Sequence, residues 1–346
     1  MVGCRNNTNI KANADTKDVM FSAALDDKYA LFDKSGTMVT GPQFDEVGEC
    51  FSEGLAEVKI DGKWGYIDKS GEIVIKPLFD GAGYFSEGIA AVRIDTGYVK
   101  LGKYGYIDKS GKYVINPRFD EAGAFSEGLA KVKNTGGKYG YIDKSGKYVI
   151  NPQFDDAEEF SEGFAEVEIG GKYGYINKSG NYVINPQFDW AGSFSEGLAA
   201  VRIGDTFDKY GYYDKLGKYG YINKSGKFVV NPQFDRGGTF LEGLAAVRIE
   251  GKYGYIDKSG KYVINPQFDD AEFFSEGLAK VKISGKWGYI DKSGKIIINP
   301  QFDYAEEFSD GFAMVEFGKK WGVINKSGEY IANPLYEDLC MFFILK

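Results

Sequence analysis

Nine prolines divide the 346-residue chain almost evenly. They stand at 42, 77, 117, 152, 186, 232, 266, 300 and 334, with gaps of 35, 40, 35, 34, 46, 34, 34 and 34. Proline has no N–H to give to a ladder and fixes its own φ. A spacing of 34–35 in six of the eight gaps therefore marks the same point in successive copies of one unit. The period overrides the two unrelated domains that length alone would suggest. Composition then removes several chemistries. With no histidine, Ser-His-Asp triads, Cys-His nucleophiles and imidazole metal sites are excluded. Cys4, Cys50 and Cys340 are three and scattered, so neither a full disulfide framework nor a C-x-x-C zinc site is expected. Net charge is −8, from 42 Lys and Arg against 50 Asp and Glu, which argues against sequence-independent binding of nucleic acid. No apolar run approaches the roughly 20 residues of a transmembrane helix.

Each copy reads as strand. Lys103-Tyr104-Gly105-Tyr106-Ile107 and Lys112-Tyr113-Val114-Ile115 are short, aromatic and β-branched. Asp108-Lys109-Ser110-Gly111 joins them, with Asp suited to open a turn and Gly to take the left-handed position after it. Leu129-Ala130-Lys131-Val132-Lys133 alternates apolar and polar and supplies a third strand. Asn116-Pro117 is expected to end the second strand. Pleating should put Tyr104 and Tyr106 on one face, with Gly105 leaving room for a neighbouring backbone on the other. Phe85, Phe125, Phe160, Phe194, Phe240, Phe274 and Phe308 hold one slot and read as core plugs between copies, because a lone meander cannot bury both faces.

Lys63-Trp64-Gly65-Tyr66-Ile67-Asp68-Lys69-Ser70-Gly71, followed in most copies by Pro-Gln-Phe-Asp and Phe-Ser-Glu-Gly-Leu-Ala, resembles the WG (KWG) repeat family of bacterial proteins. The resemblance runs from about residue 28 to 339, in nine copies. It implies an all-β repeat protein, often associated with the cell envelope, with no settled activity and no catalytic residue to carry over. In the first copy Ala30 replaces the glycine and Gly41-Pro42 replaces Asn-Pro, as a terminal cap would.

The fold expected is all-β: about nine three-stranded antiparallel meanders in an open β-solenoid or superhelix, with a closed propeller-like ring as the alternative. Three strands fall short of the usual four-stranded blade, and nine units are many for a ring. The expected organisation is a flexible polar tether over 1–20, the array over 21–339 and a C-terminal capping strand over 340–346. The apolar tail Met341-Phe342-Phe343-Ile344-Leu345 is expected to cover the last repeat edge. Between Pro186 and Pro232, Lys209 to Gly217 nearly duplicates Lys218 to Gly226, giving an extra ribbon that is either a tolerated insertion or a partner site. A smaller insert lies near Asp95 to Leu101.

Positions that vary between copies should face solvent or ligand. After Phe-Asp, such slots hold Tyr84, Trp190, Arg236, Phe273 and Tyr304, which are the binding-surface candidates. Lys59, Arg93, Lys133, Arg202, Arg248 and Lys282 share another slot, and Glu53, Glu87, Glu127, Glu162, Glu196, Glu242, Glu276 and Asp310 a third, read as solubilising charges and cross-repeat ion pairs. The Asp-Lys-Ser-Gly turns lack the clustered carboxylates of a calcium loop. Acid pairs such as Asp155-Asp156 with Glu158-Glu159 recur in near copies at Asp269-Asp270 and Glu306-Glu307, and catalytic pairs are seldom stamped out repeatedly. The function expected is a non-catalytic scaffold, without cofactor, that holds a protein partner. A glycan- or envelope-polymer-binding module using the periodic aromatics is the alternative. Met1-Val2-Gly3-Cys4 resembles the end of a bacterial lipoprotein signal, which makes Cys4 a candidate lipid anchor and the cell envelope the expected location, given a longer precursor. Without that precursor, the terminus is an ordinary tether and the location cytoplasmic.

Overall fold

The computed structural model describes residues 19–25, 27–33, 35–48, 50–95, 102–207, 213–337, 339–341 and 343–345. The candidate Cys4, the insert over 96–101 and the middle of the duplicated ribbon, 208–212, lie outside them. All regular structure among these residues is β.

The hairpin at the heart of each copy forms as its sequence requires. In the third copy, Lys103–Asp108 pairs with Tyr113–Phe119. Between them the Asp108 carboxylate accepts from the N–H groups of Ser110 and Lys112 and from the Ser110 hydroxyl, and Gly111 takes φ 82°. The strand does not stop at Asn116-Pro117 as expected but runs through to Phe119. Proline is tolerated because this strand is the last of its sheet, where its missing N–H faces no partner. A Cβ at Gly105 would lie 2.5 Å from the Ile115 carbonyl oxygen and 2.7 Å from the Pro117 nitrogen. The periodic proline and the aromatic-Gly pair are thus two sides of one close approach.

The unit has four strands, not three. The residue after Phe-Asp and its small neighbour form a two-residue strand, as in Gly81–Ala82, which pairs with Val92 and Arg93 of Ile89–Ile94. Blades run over 46–79, 81–119, 121–154, 156–188, 190–234, 236–268, 270–302 and 304–336, numbered here 2 to 9. Blade 1 takes three strands from 19–44 and its fourth from Leu339–Met341, which pairs with Phe21 to Ala23. Phe343–Leu345 then lies parallel to Cys50–Ser52 of blade 2. The C-terminal segment therefore stitches the N-terminal blades instead of covering the edge of the last repeat.

The array closes into a nine-bladed propeller. Among the described residues the core is nine clusters, each shared by two successive blades. One joins Phe21, Ala23, Ala30 and Phe32 of blade 1 to Met314, Val323 and Ala332 of blade 9. An open solenoid would leave those two faces bare, so this shared core and the strand exchange replace the open array. The plug phenylalanines sit in these clusters at 0–1% exposure, from Phe85 to Phe308. Both faces of a blade are covered by neighbours, which is why Gly105, Tyr106 and Ile107 are all buried. Tyr104 packs against the cluster that holds Tyr106, while Ile107 lies in the cluster on the other side of the blade, so the expected placing holds despite the register shifts here.

Repeated polar bonds fasten blade to blade. The second tyrosine of each copy, from Tyr66 to Tyr289, donates its hydroxyl to a backbone carbonyl of the next blade at 2.6–2.9 Å. The glutamates of the Phe-Ser-Glu-Gly turns, such as Glu196 at φ 52°, reach the following blade. There Glu196 accepts from the Gly243 N–H and pairs with Lys258 at 2.9 Å. The same clamp recurs from Lys109–Glu53 to Lys326–Glu276. The cross-repeat ion pairs read in the sequence are therefore present, with the lysine supplied by the Asp-Lys-Ser-Gly turn. In blade 6, Tyr213–Lys215 of the duplicated segment pairs with Thr206–Phe207 just before it as an extra two-stranded ribbon, anchored by the Asp205 carboxylate on Arg202 at 2.8 Å.

Candidate binding surface

The variable slots lie on the two-residue first strand, just after it, and at the third position of Leu-Ala-x-Val on the second strand. Their orientation is fixed by what they touch. The phenol of Tyr84 in blade 3 lies within electrostatic reach of Glu159, Cys50, Glu57 and Lys131, groups from blades 5, 2 and 4. Blades converge on one another in this way only toward the axis of a ring. Glu159 of blade 5 likewise reaches back over Gly123 of blade 4, where a Cβ would stand 2.6 Å from its Oε1. The free slots therefore look across the ring.

Two charged clusters occupy this surface. Lys131 of blade 4 pairs with Glu158 at 2.6 Å and Glu159 at 3.7 Å in blade 5. Burial opposes the lysine charge, but the two glutamates outweigh it and leave its pKa above the ordinary value. Next to them Glu166 is 8% exposed, and its Oε2 has no hydrogen-bond partner. Burial first, and then the charge of Glu158, push Glu166 up to about 8. At the blade 8–9 boundary, Lys280 pairs with Glu307 at 3.0 Å and Glu306 at 3.8 Å, and its Nζ lies 5.5 Å and 5.3 Å from the rings of Trp287 and Tyr304. Glu166 and Lys280 were not among the sequence candidates. Their signal was there: in an otherwise apolar Leu-Ala-x-Val strand, this position changes from Glu57 to Ala91, Lys131, Glu166, Ala200, Ala246, Lys280 and Met314.

The five sequence candidates are spread over this surface. Tyr84, Phe273 and Tyr304 are exposed at 40%, 37% and 40%, and Arg236 is exposed as well. Trp190 is half-buried, tilted against Tyr219 at 5.5 Å. Tyr304 sits between Trp287 and Trp321 at 6.4 Å and 5.8 Å. Only Arg236 and Phe273 are brought together. They line one cavity of about 310 Å³ between blades 7 and 8, with Thr239, Tyr253 and Glu272. Many of the periodic aromatics serve the fold. Tyr104, Tyr139 and Tyr173 are half-buried and pack against inter-blade cores, and the second tyrosines are wholly buried. The second tyrosines are therefore out of reach of a sugar, whereas Tyr182 and Tyr330 remain exposed. Among the described residues, no group of three or more acidic or cysteine side chains is placed to hold a metal ion, and no helix is long and apolar enough to cross a membrane.

A sequence model of the WG-containing repeat matches residues 29–64, 64–98, 104–139, 139–173, 173–207, 219–253, 253–287, 287–321 and 321–343. No curated protein sequence matches the chain. Among solved structures, a crystal structure of a eukaryotic initiation factor superposes with TM-score 0.63 at 13% identity, over 94% of this chain and 98% of that one. That likeness bears on the fold alone and agrees with a closed ring over the whole chain. BamB from Moraxella catarrhalis (TM-score 0.42, 12% identity, 80% of this chain and 94% of that) and AztD from Citrobacter koseri (TM-score 0.42, 14% identity, 94% and 96%) are too distant in shape to carry an argument.

Proposed function

We propose, from the premise that this chain belongs to the WG-repeat family, that its nine-bladed ring is a non-catalytic scaffold holding a protein partner against the surface that faces across the ring. The observation that carries this reading is the separation of two kinds of position. Slots that repeat are spent on bonds between blades, as in the tyrosine and Glu–Lys contacts. Slots that vary collect toward the axis and present charged and aromatic groups of different kinds, including Tyr84, Lys131, Glu159, Phe273 and Tyr304. Exposed aromatics beside charged groups are the composition of interaction surfaces.

In-cell cross-linking followed by quantitative capture tests this reading. A variant combining Tyr84→Ala, Phe273→Ala and Tyr304→Ala is expected to lose at least tenfold of its captured partner at an unchanged melting temperature. Unchanged capture would sink the assignment of this surface. The proposed location is the cell envelope, motivated by Met1-Val2-Gly3-Cys4. Metabolic labelling with a palmitate analogue should mark the native protein and not Cys4→Ser, and an unlabelled native protein would remove the lipoprotein reading.

A further inference from the structure

We propose that the cavity between blades 7 and 8 is a binding site for a small zwitterion of the α-amino acid class, taking the ligand carboxylate on Arg236, its ammonium on Glu272 and its apolar part against Phe273 and Tyr253. This goes beyond the scaffold reading, since it assigns a small-molecule ligand.

The cavity exists because blade 7 departs from its sister copies. At the variable Leu-Ala-x-Val position, Glu57, Lys131, Glu166, Lys280 and Met314 fill the corresponding space, whereas blade 7 has Ala246. Blades 3 and 6 also have alanine there. In blade 6, however, Trp190 folds over the neighbouring Gly192, its ring 2.9 Å from where a Cβ would stand. Blade 3 has Gly81 where blade 7 has Arg236, and so offers no cation at this wall.

The charges on the walls are unmatched. Arg236 lies directly across the strand pair from Arg248, a like-charge arrangement that costs stability. In the same two slots, blades 2 and 4 place salt bridges, Lys59–Glu46 at 2.6 Å and Lys133–Glu121 at 2.8 Å. Among the described residues neither Arg236 nor Arg248 has a carboxylate within ion-pair distance. Arg248 instead rests on the Tyr253 ring at 6.0 Å, and its Nε has no hydrogen-bond partner. A planar guanidinium left free beside a cavity is suited to a carboxylate. On the blade 8 side Glu272 also lacks an ion pair, and its neighbour Lys280 is engaged by Glu307 and Glu306. Desolvation raises the pKa of Glu272 against the pull of Lys280, with Glu307 and Asp270 adding to the rise, so an arriving ammonium would stabilise its charged form. Arg236 and Glu272 both line the cavity, and no ion pair joins them. One ligand bearing both charges neutralises both walls. The volume of about 310 Å³ is at the small end for ligand sites, which suits a single amino acid better than a polymer.

Ligand-observed NMR on the full chain with the standard amino acids, followed by calorimetry, tests the site. At least one apolar amino acid is expected to bind. With L-phenylalanine as the probe, affinity should exceed that of 3-phenylpropionate and of phenethylamine by tenfold or more. Arg236→Ala should bring L-phenylalanine down to the level of phenethylamine. Glu272→Gln should weaken L-phenylalanine while leaving 3-phenylpropionate unweakened, a split that a merely structural role would not produce. Ala246→Met, a residue the scaffold already accepts at Met314, should abolish binding at an unchanged melting temperature. Binding by no amino acid, equal affinity for L-phenylalanine and 3-phenylpropionate, or full binding by Ala246→Met would each overturn the proposal.

Discussion

Raising the pH should unfold the ring in one cooperative step shortly above pH ~10, the ordinary tyrosine pKa. Tyr66, Tyr106, Tyr141, Tyr175, Tyr221, Tyr255 and Tyr289 are 0–1% exposed. Each hydroxyl donates to a carbonyl of the next blade, Tyr141 to Glu158 at 2.6 Å and Tyr175 to Gly192 at 2.7 Å. Burial drives all seven pKa values well above the ordinary value, with nearby glutamates adding to the effect at several of them. Because the folded pKa is the higher one, folding favours the protonated phenol. That contribution is intact below the unfolded pKa of ~10 and is lost as pH climbs toward the folded value. Each buried tyrosine then costs ~1.4 kcal/mol per pH unit, and seven together cost ~10 kcal/mol per unit. A whole protein is commonly stable by only ~5–15 kcal/mol, so the transition should come within about one to two pH units. Tyrosinate absorbance and far-ultraviolet circular dichroism, followed in one titration, read the outcome. The exposed tyrosines should ionise gradually with the fold intact, and the buried group should ionise together with the loss of β signal. Complete ionisation of all 25 tyrosines before any change in dichroism would refute the reasoning.

Three further outcomes follow from the same contacts. Phe21 and Tyr336 meet across the seam of blades 1 and 9 at 6.4 Å, so Phe21→Leu and Tyr336→Leu should couple by ~0.5–1.5 kcal/mol in a double-mutant cycle read by urea unfolding. Additivity would argue against ring closure. Glu166→Gln should stabilise the protein by up to about 5 kcal/mol near pH 9 and leave it unchanged near pH 4: with the folded pKa raised to about 8, the native carboxyl costs stability as pH rises from its unfolded value through 8. A pH-independent effect in thermal melts would count against the buried-charge account. Glu196→Ala removes a partly exposed clamp to Lys258 and Gly243 and should cost only about 0.5–1.5 kcal/mol, part of it lost in high salt. A cost above about 3 kcal/mol would mean the clamps do more than tie neighbouring blades.

The parts of this fold legible in the sequence are those fixed within one copy. Asp108 and Gly111 dictate the hairpin turn by local bonding and a positive φ, and Phe125 or Phe160 recurs at a slot that only a core between copies explains. The fourth strand was not legible, because Asp156–Ala157 is two residues long and no periodicity shows in two residues. Closure was not legible either. Whether nine units meet depends on the small rotation between neighbours, summed around the ring, and on Leu339–Met341 finding Phe21 to Ala23 more than 300 residues away. At the candidate surface, comparison of copies found Arg236 and Phe273 because they stand in obviously variable slots. It passed over Glu166, Lys280 and Ala246, whose slot lies inside a strand that reads as buried. Alternation predicts which face of a strand is covered, but in a ring both faces are, and the variable position then opens toward the axis.

The division between fixed and free slots explains how one blade can carry charges that are individually unfavourable. The bonds that hold blade 7 to its neighbours are the Tyr221 and Tyr255 hydroxyls, the Glu196–Lys258 and Glu242–Lys292 clamps and the Phe240 and Phe274 plugs; none of them uses the side chain of Arg236 or Glu272, although Tyr255 donates to the Glu272 backbone carbonyl and Ala246 shares the Phe274 core. The opposed pair Arg236 and Arg248 therefore costs at most about 1 kcal/mol of local repulsion, shared by a ring whose closure rests on other residues. A fold with this property can change what a single blade binds without re-solving how the blades pack. It follows that the chemistry of a site should travel with its free slots. Placing arginine at Gly81 and glutamate at Gly123 would put the charge pattern of blade 7 onto blade 3, which already has Ala91 at the position of Ala246. If binding at blade 7 depends on those charges and on the missing side chain, blade 3 so altered should acquire a second site of the same specificity. If it depends on the particular packing of blade 7, it should not.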